Sequence, residues 1–238
     1  MSADGTSVGA CRRACTAPAA LIAASIAFVL AVGSALAGLE TSTAKDNPTI
    51  AADTVVLRLT GAIEAPMAEE LAALWRDLAP RYGRLLIDLD SPGGSLAETE
   101  ALVSVIAGIR AEARVDTLVR HGAMCASACV AIFVQGEDRA AGGASVWLFH
   151  GACRDIGSNV PSMALTGRYL DILRKAGVAE SFLCRLVDEG YITTPGNFWV
   201  SGYELHHVYK ANIITRLLEP WRPEPPRIPA MDPQIAPR

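Results

Sequence analysis

A single serine, Ser127, lies in the segment GAMCASACVAIF, where small residues and two cysteines surround it. A serine hydroxyl is a weak nucleophile, and it becomes reactive when a base, usually histidine, accepts its proton. If Ser127 begins a helix, the helix dipole would favour its ionisation, and the N–H of Ala128 could point at a developing oxyanion. The alternative interpretation is a small N-cap serine without a chemical role.

His150 is the histidine best placed to act as that base, because it ends the apolar segment SVWLFHGA. A hydrogen-bonded histidine at a sheet edge is the structural alternative. His206 and His207 lie in a polar segment and are expected to be solvated, and His121 is interpreted as structural. None of the three lysines falls in a loop at a strand end, which disfavours a Ser–Lys pair.

The segment DSPGGS is the second feature that could do chemistry. Pro92 ends a strand, and Gly93 and Gly94 permit positive φ and a close approach of other groups. Exposed N–H groups at such a turn can hold an anion or an oxyanion. The segment lacks the lysine and the spacing of a phosphate loop, and an ordinary strand-to-helix turn is the alternative.

Strands alternate with helices along the chain. The segments TVVLRLTG, RLLIDLD, VDTLVR and SVWLFHGA are predicted strands, with NFWVS and NIITRLL as later extended pieces, and CASACVAIFVQG is predicted to be a helix. This alternation indicates βαβ units and an α/β fold with a mostly parallel sheet. Because the carboxyl ends of parallel strands share one edge, Gly93, Ser127 and His150 are expected there together.

The N-terminal segment predicts export. Arg12 and Arg13 precede an apolar run that ends in Ala35-Leu36-Ala37, a small-x-small cleavage pattern. Residues 1–37 are therefore predicted to be a signal peptide or, because the run approaches the roughly 20 residues of a membrane span, an inner-membrane anchor. Either interpretation places the rest of the chain outside the cytoplasm, in the periplasm.

The remaining chain divides into three parts. Residues 38–53 are predicted to be a linker, residues 54–219 one globular domain, and residues 220–238 a proline-rich disordered tail. The chain has 238 residues and a formal net charge of −4, which fits one domain and disfavours a nucleic-acid partner.

Four cysteines follow the apolar run: Cys125, Cys129, Cys153 and Cys184. An even number of cysteines in an oxidising compartment predicts at least one disulfide. Four cysteines can pair in three ways, and the sequence does not choose among them. Cys125 and Cys129 would point poorly for a bond within one helix, and a bond from either to Cys153 would join the serine and histidine segments. No metal site is expected, because CxxC spacing and a neighbouring histidine ligand are missing.

Taken in order, LLIDLDSPGGS, CASACVAIFVQGEDR and SVWLFHGA resemble the proteolytic subunit of Clp protease and its periplasmic relatives in the Clp/crotonase superfamily. The resemblance covers roughly residues 54–218 and implies a superhelix of ββα units with a mostly parallel sheet. It also implies that Ser127 is the nucleophile, that His150 is the general base, and that Gly93 and Ala128 supply the oxyanion-hole N–H groups.

The third catalytic position departs from the family. The family has an aspartate in a late segment that GNFWVSGYELHHV resembles, and the matching position here is Asn197. Asparagine can orient an imidazole but cannot stabilise the imidazolium with a full charge. Asp171 and Asp188 are alternatives that do not match the family pattern.

The resemblance implies an exported serine endopeptidase that hydrolyses proteins or peptides without a cofactor or a metal and that forms a homo-oligomer. A catalytically inactive binding or scaffold protein of the cell envelope on the same fold is the alternative. A third hypothesis is a crotonase-like acyl-CoA enzyme, which would use the glycine turn as an oxyanion hole without a Ser–His pair.

Overall fold

The computed structural model describes residues 38–153 and 160–218. The predicted signal peptide or anchor and the predicted proline-rich tail lie outside the described residues. Within the described ranges, no helix is long and apolar enough to cross a membrane.

The described chain contains helices and strands in alternation. The α-helices are α1 (Met67–Leu78), α2 (Leu96–Arg110), α3 (Ala128–Phe133), α4 (Met163–Lys175) and α5 (Glu180–Asp188), and a single π-helical turn covers Glu204–Val208. The strands are β1 (Gly38–Ser42), β2 (Thr54–Thr60), β3 (Arg84–Asp90), β4 (Arg114–Val119), β5 (Met124–Ala126), β6 (Arg139–Gly142), β7 (Val146–Phe149), β8 (Phe198–Ser201) and β9 (Arg216–Leu218).

The larger sheet has the order β1-β2-β3-β4-β6-β9, and all its pairs are parallel except β1–β2. Strands β2 and β3 each bury leucine or isoleucine at alternate positions. These buried residues lie opposite one another, Leu57 beside Ile87 and Leu59 beside Leu89. This period-2 pattern of apolar residues explains why these segments form strands that the helices then cover. The carboxyl end of β3 leads into the DSPGGS segment.

Helix α2 continues directly from that segment. The Ser95 side chain caps it by accepting a hydrogen bond from the Glu98 N–H at 3.3 Å. Leu102, Ile106 and Ile109 recur at helical spacing and are buried, which holds α2 against the sheet and α1. The start of α2 is therefore fixed at the edge where β3 ends.

A second, three-stranded sheet has the order β5-β7-β8. Strand β5 runs parallel to β7, with Cys125 opposite Trp147 and Ala126 opposite Leu148. The prediction that a helix begins at Cys125 was wrong, since Met124–Ala126 form a strand and α3 begins at Ala128. Every residue of α3 is buried. Its sequence therefore has no polar face, and the periodic change between apolar and polar residues that marks the first residue of a surface helix is missing.

Two other segments also differ from the expectation. Residues 38–53 were predicted to be a linker, but Gly38–Ser42 form β1, which pairs antiparallel with β2 and places Leu39 against the core. Strand β6 was not predicted, because Arg139–Gly142 contain alanine and glycine in place of the β-branched residues typical of strands. Both strands are held by their pairing partners.

Candidate active site

Ser127 occupies a sharp turn between β5 and α3. Its φ of 53° and ψ of −121° fall outside the usual regions for a residue with a side chain. The Ser127 N–H donates to the Leu148 carbonyl at 2.8 Å, and the Ser127 carbonyl accepts from the Val130 N–H at 3.0 Å. Such strained residues cluster at functional sites, and a strand–turn–helix of this kind can expose a nucleophilic hydroxyl.

A disulfide joins the residues on either side of this turn. Cys125 lies on β5 and Cys129 on α3, and their Cα atoms are 5.2 Å apart. The poor orientation expected of a helical pair does not arise, because the two cysteines belong to different elements. The prediction of at least one disulfide is confirmed in the structure, and Cys153 and Cys184 are free.

The glycine turn packs directly against the serine turn. A Cβ atom at Gly93 would lie 2.6 Å from the Ala126 oxygen and 2.9 Å from the Ser127 Cβ, so no larger residue fits without displacement. Ser91 connects the two turns, since its N–H donates to the Met124 carbonyl at 2.8 Å and its carbonyl accepts from the Ala126 N–H at 3.0 Å. The two turns therefore form one unit.

The backbone amides of this unit differ in their partners. The Gly93 N–H donates to the Ser91 Oγ at 3.1 Å, and Gly93 is buried. Over the described part of the chain, no acceptor is found for the N–H groups of Gly94 and Ala128. Gly94 and Ala128 also line a cavity, whereas Gly93 does not, so Gly94 is the functional candidate that the sequence reasoning missed.

This cavity measures about 1010 Å³ and is bordered by Ser127, Ala128, His150 and Asn197. Much of the remaining wall is apolar and comes from Ala65, Leu96, Ala97, Pro161, Leu165 and Pro195. Among the residues that the structure describes, no group of three or more His, Cys, Asp or Glu could hold a metal ion. The cavity is large enough for several side chains of a peptide.

His150 follows β7 directly and is half-buried at the cavity. Its Nδ1 atom lies 2.9 Å from the Gly151 carbonyl oxygen. When Nδ1 carries the proton it donates to that oxygen, and Nε2 is then the ring nitrogen that can accept a proton. In the described ranges, His150 makes no hydrogen bond to Ser127 or to Asn197, although all three border one cavity.

The structure places the other candidate residues as follows. Asn197 is exposed at the cavity, just before β8. Asp171 instead pairs with Arg174 at 2.8 Å on an exposed face, and neither Asp171 nor Asp188 borders the cavity. His121, His206 and His207 lie away from it as well.

Tyr169 is a further residue that the sequence reasoning missed. It lies on the buried face of α4, borders the cavity, and its hydroxyl donates to the Ser127 carbonyl at 3.2 Å. Burial raises the pKa of the Tyr169 hydroxyl well above its usual value. Its helical spacing to Leu173 predicts a core position, but no sequence pattern points to a partner 42 residues away.

No protein-family model matches the chain, and no curated protein matches it. Among solved structures, the catalytic domain of the ClpP protease from Plasmodium falciparum is similar with a TM-score of 0.54 and 18% identity, covering 71% of this chain and 88% of that one. A ClpP1 mutant from Listeria monocytogenes has 19% identity and a TM-score of 0.46, covering 71% of this chain and 92% of that one.

The likeness to the Plasmodium domain shows the fold. The chain has a mixed α/β architecture with a parallel-rich sheet flanked by helices, as in ClpP-like structures. The predicted Clp/crotonase-like fold class is confirmed.

Proposed function

We propose that this chain is a serine peptidase whose nucleophile is Ser127 and whose general base is His150. One observation carries the proposal: the strained Ser127 turn, the His150 imidazole and the Gly94 and Ala128 amides all border one cavity. A small serine at a structural cap would need neither the unusual backbone nor a histidine at the same cavity. These are the parts that acyl transfer requires.

The proton moves through His150. The Ser127 Oγ bonds to the substrate carbonyl carbon, its proton passes to His150 Nε2, and the carbonyl π electrons move to the oxygen. His150 then protonates the leaving amine as the C–N bond breaks, and water hydrolyses the acyl-enzyme by the same steps. The short contact between Nδ1 and the Gly151 carbonyl supports this direction, because a carbonyl oxygen can only accept and therefore favours the neutral tautomer that has its proton on Nδ1.

A backbone carbonyl orients His150 in this proposal. The Gly151 oxygen already lies at hydrogen-bond distance from Nδ1, where a third catalytic side chain would otherwise bind. A carbonyl dipole stabilises imidazolium less than a carboxylate does, so we expect a slower enzyme than one with a Ser-His-Asp triad. Asn197 then contributes to the mouth of the cavity and to substrate contact.

The N–H groups of Gly94 and Ala128 would hold the oxyanion. Sequence reasoning favoured Gly93 with Ala128, but the Gly93 N–H has an acceptor in Ser91 Oγ. Gly94 follows it directly and is exposed to the cavity. Preorganised donors of this kind are often the largest single contribution to catalysis.

We also propose that the substrate is a protein or peptide segment and that the enzyme acts outside the cytoplasm. The cavity volume of about 1010 Å³ supports a polymeric substrate. The positively charged and apolar pattern of residues 1–37 supports export, by a signal peptide or an inner-membrane tether. The disulfide across the Ser127 turn fits an oxidising compartment, and assembly into a homo-oligomer is part of the same proposal.

Labelling with a fluorophosphonate probe tests the activity. The wild-type chain should be labelled, Ser127→Ala should lose all labelling, and His150→Ala should be labelled at least about a hundredfold more slowly. Ser181→Ala, which changes an exposed serine on α5, is the matched control and should behave as wild type. Folded wild-type protein that resists the probe, or equal labelling of Ser127→Ala, would count against the peptidase.

A non-catalytic binding protein on the same fold is the second candidate. It is favoured by one observation, namely that no hydrogen bond within the described ranges joins Ser127 to His150. In that case peptides would still bind the cavity, and Ser127→Ala would leave their affinity unchanged.

A further inference from the structure

We infer that Tyr169 is a positioning residue that aims the Ala128 N–H at the oxyanion. The inference rests on the proposed function and deepens it. The Tyr169 hydroxyl reaches from α4 to the Ser127 carbonyl at 3.2 Å. Among the described residues, its hydroxyl makes no hydrogen bond to the Ser127 Oγ, so the effect that we infer passes through the backbone.

The backbone connection is a single peptide group. The Ser127 carbonyl and the Ala128 N–H belong to the same planar, trans unit, so the C=O and N–H bonds point in nearly opposite directions. Any interaction that fixes the direction of the carbonyl therefore fixes the direction of the N–H. A hydrogen bond to the carbonyl also polarises the group and strengthens the N–H as a donor.

The hydrogen bond from Tyr169 is additional to one that already satisfies this carbonyl. The Val130 N–H donates to the same oxygen at 3.0 Å, which closes the first turn of α3. A carbonyl oxygen has two lone pairs, and two donors from different elements restrict its rotation more than one donor does. This restriction matters here because Ser127 has an unfavourable backbone conformation that could relax by rotating the peptide group.

The surroundings of Tyr169 favour its hydroxyl as a hydrogen-bond donor. Tyr169 is buried, with 3% of its surface exposed, and Leu173 on the same face of α4 is also buried. Burial raises the pKa of its hydroxyl above the usual value, which favours the protonated form that can donate to the Ser127 carbonyl. Tyr169 belongs to the hydrophobic core, and its hydroxyl reaches the Ser127 carbonyl.

The test is Tyr169→Phe in the full chain, which removes the hydroxyl and keeps the ring. Tyr82→Phe is the matched control, because Tyr82 precedes β3 and lies at the sheet edge opposite the cavity. We expect Tyr169→Phe to lower the fluorophosphonate labelling rate and the kcat for p-nitrophenyl acetate about tenfold, with KM unchanged. The amide resonance of Ala128 should shift in the NMR spectrum, and Tyr82→Phe should match wild type in every measurement.

The outcomes separate this inference from the proposed function. Wild-type rates and an unmoved Ala128 resonance in Tyr169→Phe would overturn the role of Tyr169 while leaving the peptidase intact. A rise in KM at constant kcat would also overturn it, because that change belongs to substrate binding. Wild-type protein that does not react with the probe would refute the proposed function, and a shifted Ala128 resonance would still support the control of the peptide group by Tyr169.

Discussion

Two turns meet at the candidate site, and they reach their unusual backbone in different ways. The turn after β3 uses glycine, and Gly93 has a φ of 91° at little intrinsic cost. The turn after β5 places a serine at a φ of 53°. A glycine could not supply a nucleophile there, so the surroundings must hold the backbone that the side chain disfavours.

Both turns are held by other segments, but by different groups. Around the glycine turn, the Ile63 N–H donates to the Gly93 carbonyl and the Ile63 carbonyl accepts from the Ser95 N–H, both at 2.8 Å.

Around the serine turn, a disulfide connects Cys125 to Cys129, the Leu148 carbonyl accepts the N–H of the serine, and Tyr169 donates to its carbonyl. The comparison teaches that both turns depend on neighbouring segments, and that the serine turn, where a side chain has a positive φ, adds a disulfide to the hydrogen bonds around it.

The largest effect is expected where the two turns touch. Gly93→Ala adds a Cβ atom 2.6 Å from the Ala126 oxygen at a backbone conformation that L-residues rarely adopt. We expect the free energy of unfolding to fall by about 2–4 kcal/mol and probe labelling of Ser127 to be lost. Denaturant unfolding and fluorophosphonate labelling measure these two changes.

Gly108→Ala is the control for that variant. Gly108 is exposed on α2, and a Cβ atom added there would meet no atom within 4 Å, so alanine should raise the stability by up to about 1 kcal/mol. If Gly93→Ala retained both its stability and its labelling, the two turns would not depend on each other as the structure indicates.

A smaller effect should follow from removing the disulfide. The variant with both Cys125→Ala and Cys129→Ala opens the link across the serine turn, and for so short a loop the expected loss of stability is about 2 kcal/mol. Labelling of Ser127 should slow by about tenfold, because the strained backbone is then held by hydrogen bonds alone.

Cys184→Ala provides the matched control for the disulfide, because Cys184 is free and exposed. It should change neither the thermal unfolding temperature nor the labelling rate. An unaltered labelling rate in the double variant, with folded protein, would show that the hydrogen bonds suffice to hold Ser127.

The smallest effect is expected from Asn197→Asp. The Gly151 carbonyl already lies 2.9 Å from His150 Nδ1, so a carboxylate at the exposed position 197 has no free ring N–H from which to accept a hydrogen bond. We expect the rate of p-nitrophenyl acetate hydrolysis to change by less than about threefold. An increase of about a hundredfold would instead make residue 197 the third catalytic position.

Much of the fold could be predicted from the sequence. The compact apolar run RLLIDLD predicted β3, and the SPGGS turn after it fits the observed end of that strand. Strand β5 could not be predicted, because it has only three residues and pairs with a strand later in the chain. Strand β6 depends in the same way on β4 and β9.

By itself, the sequence determined the α/β class, strands such as β2, β3, β4 and β7, and the presence of a serine, a histidine and a glycine turn at strand ends. Periodicity and turn chemistry act over a few neighbouring residues, so they can be recognised locally. The tertiary structure decided which cysteines bond, which backbone amides of the two turns have an acceptor, and which side chain donates to the Ser127 carbonyl. The contact between Tyr169 and Ser127 depends on packing between distant segments, and the disulfide depends on a chain direction at Ser127 that no local pattern specifies.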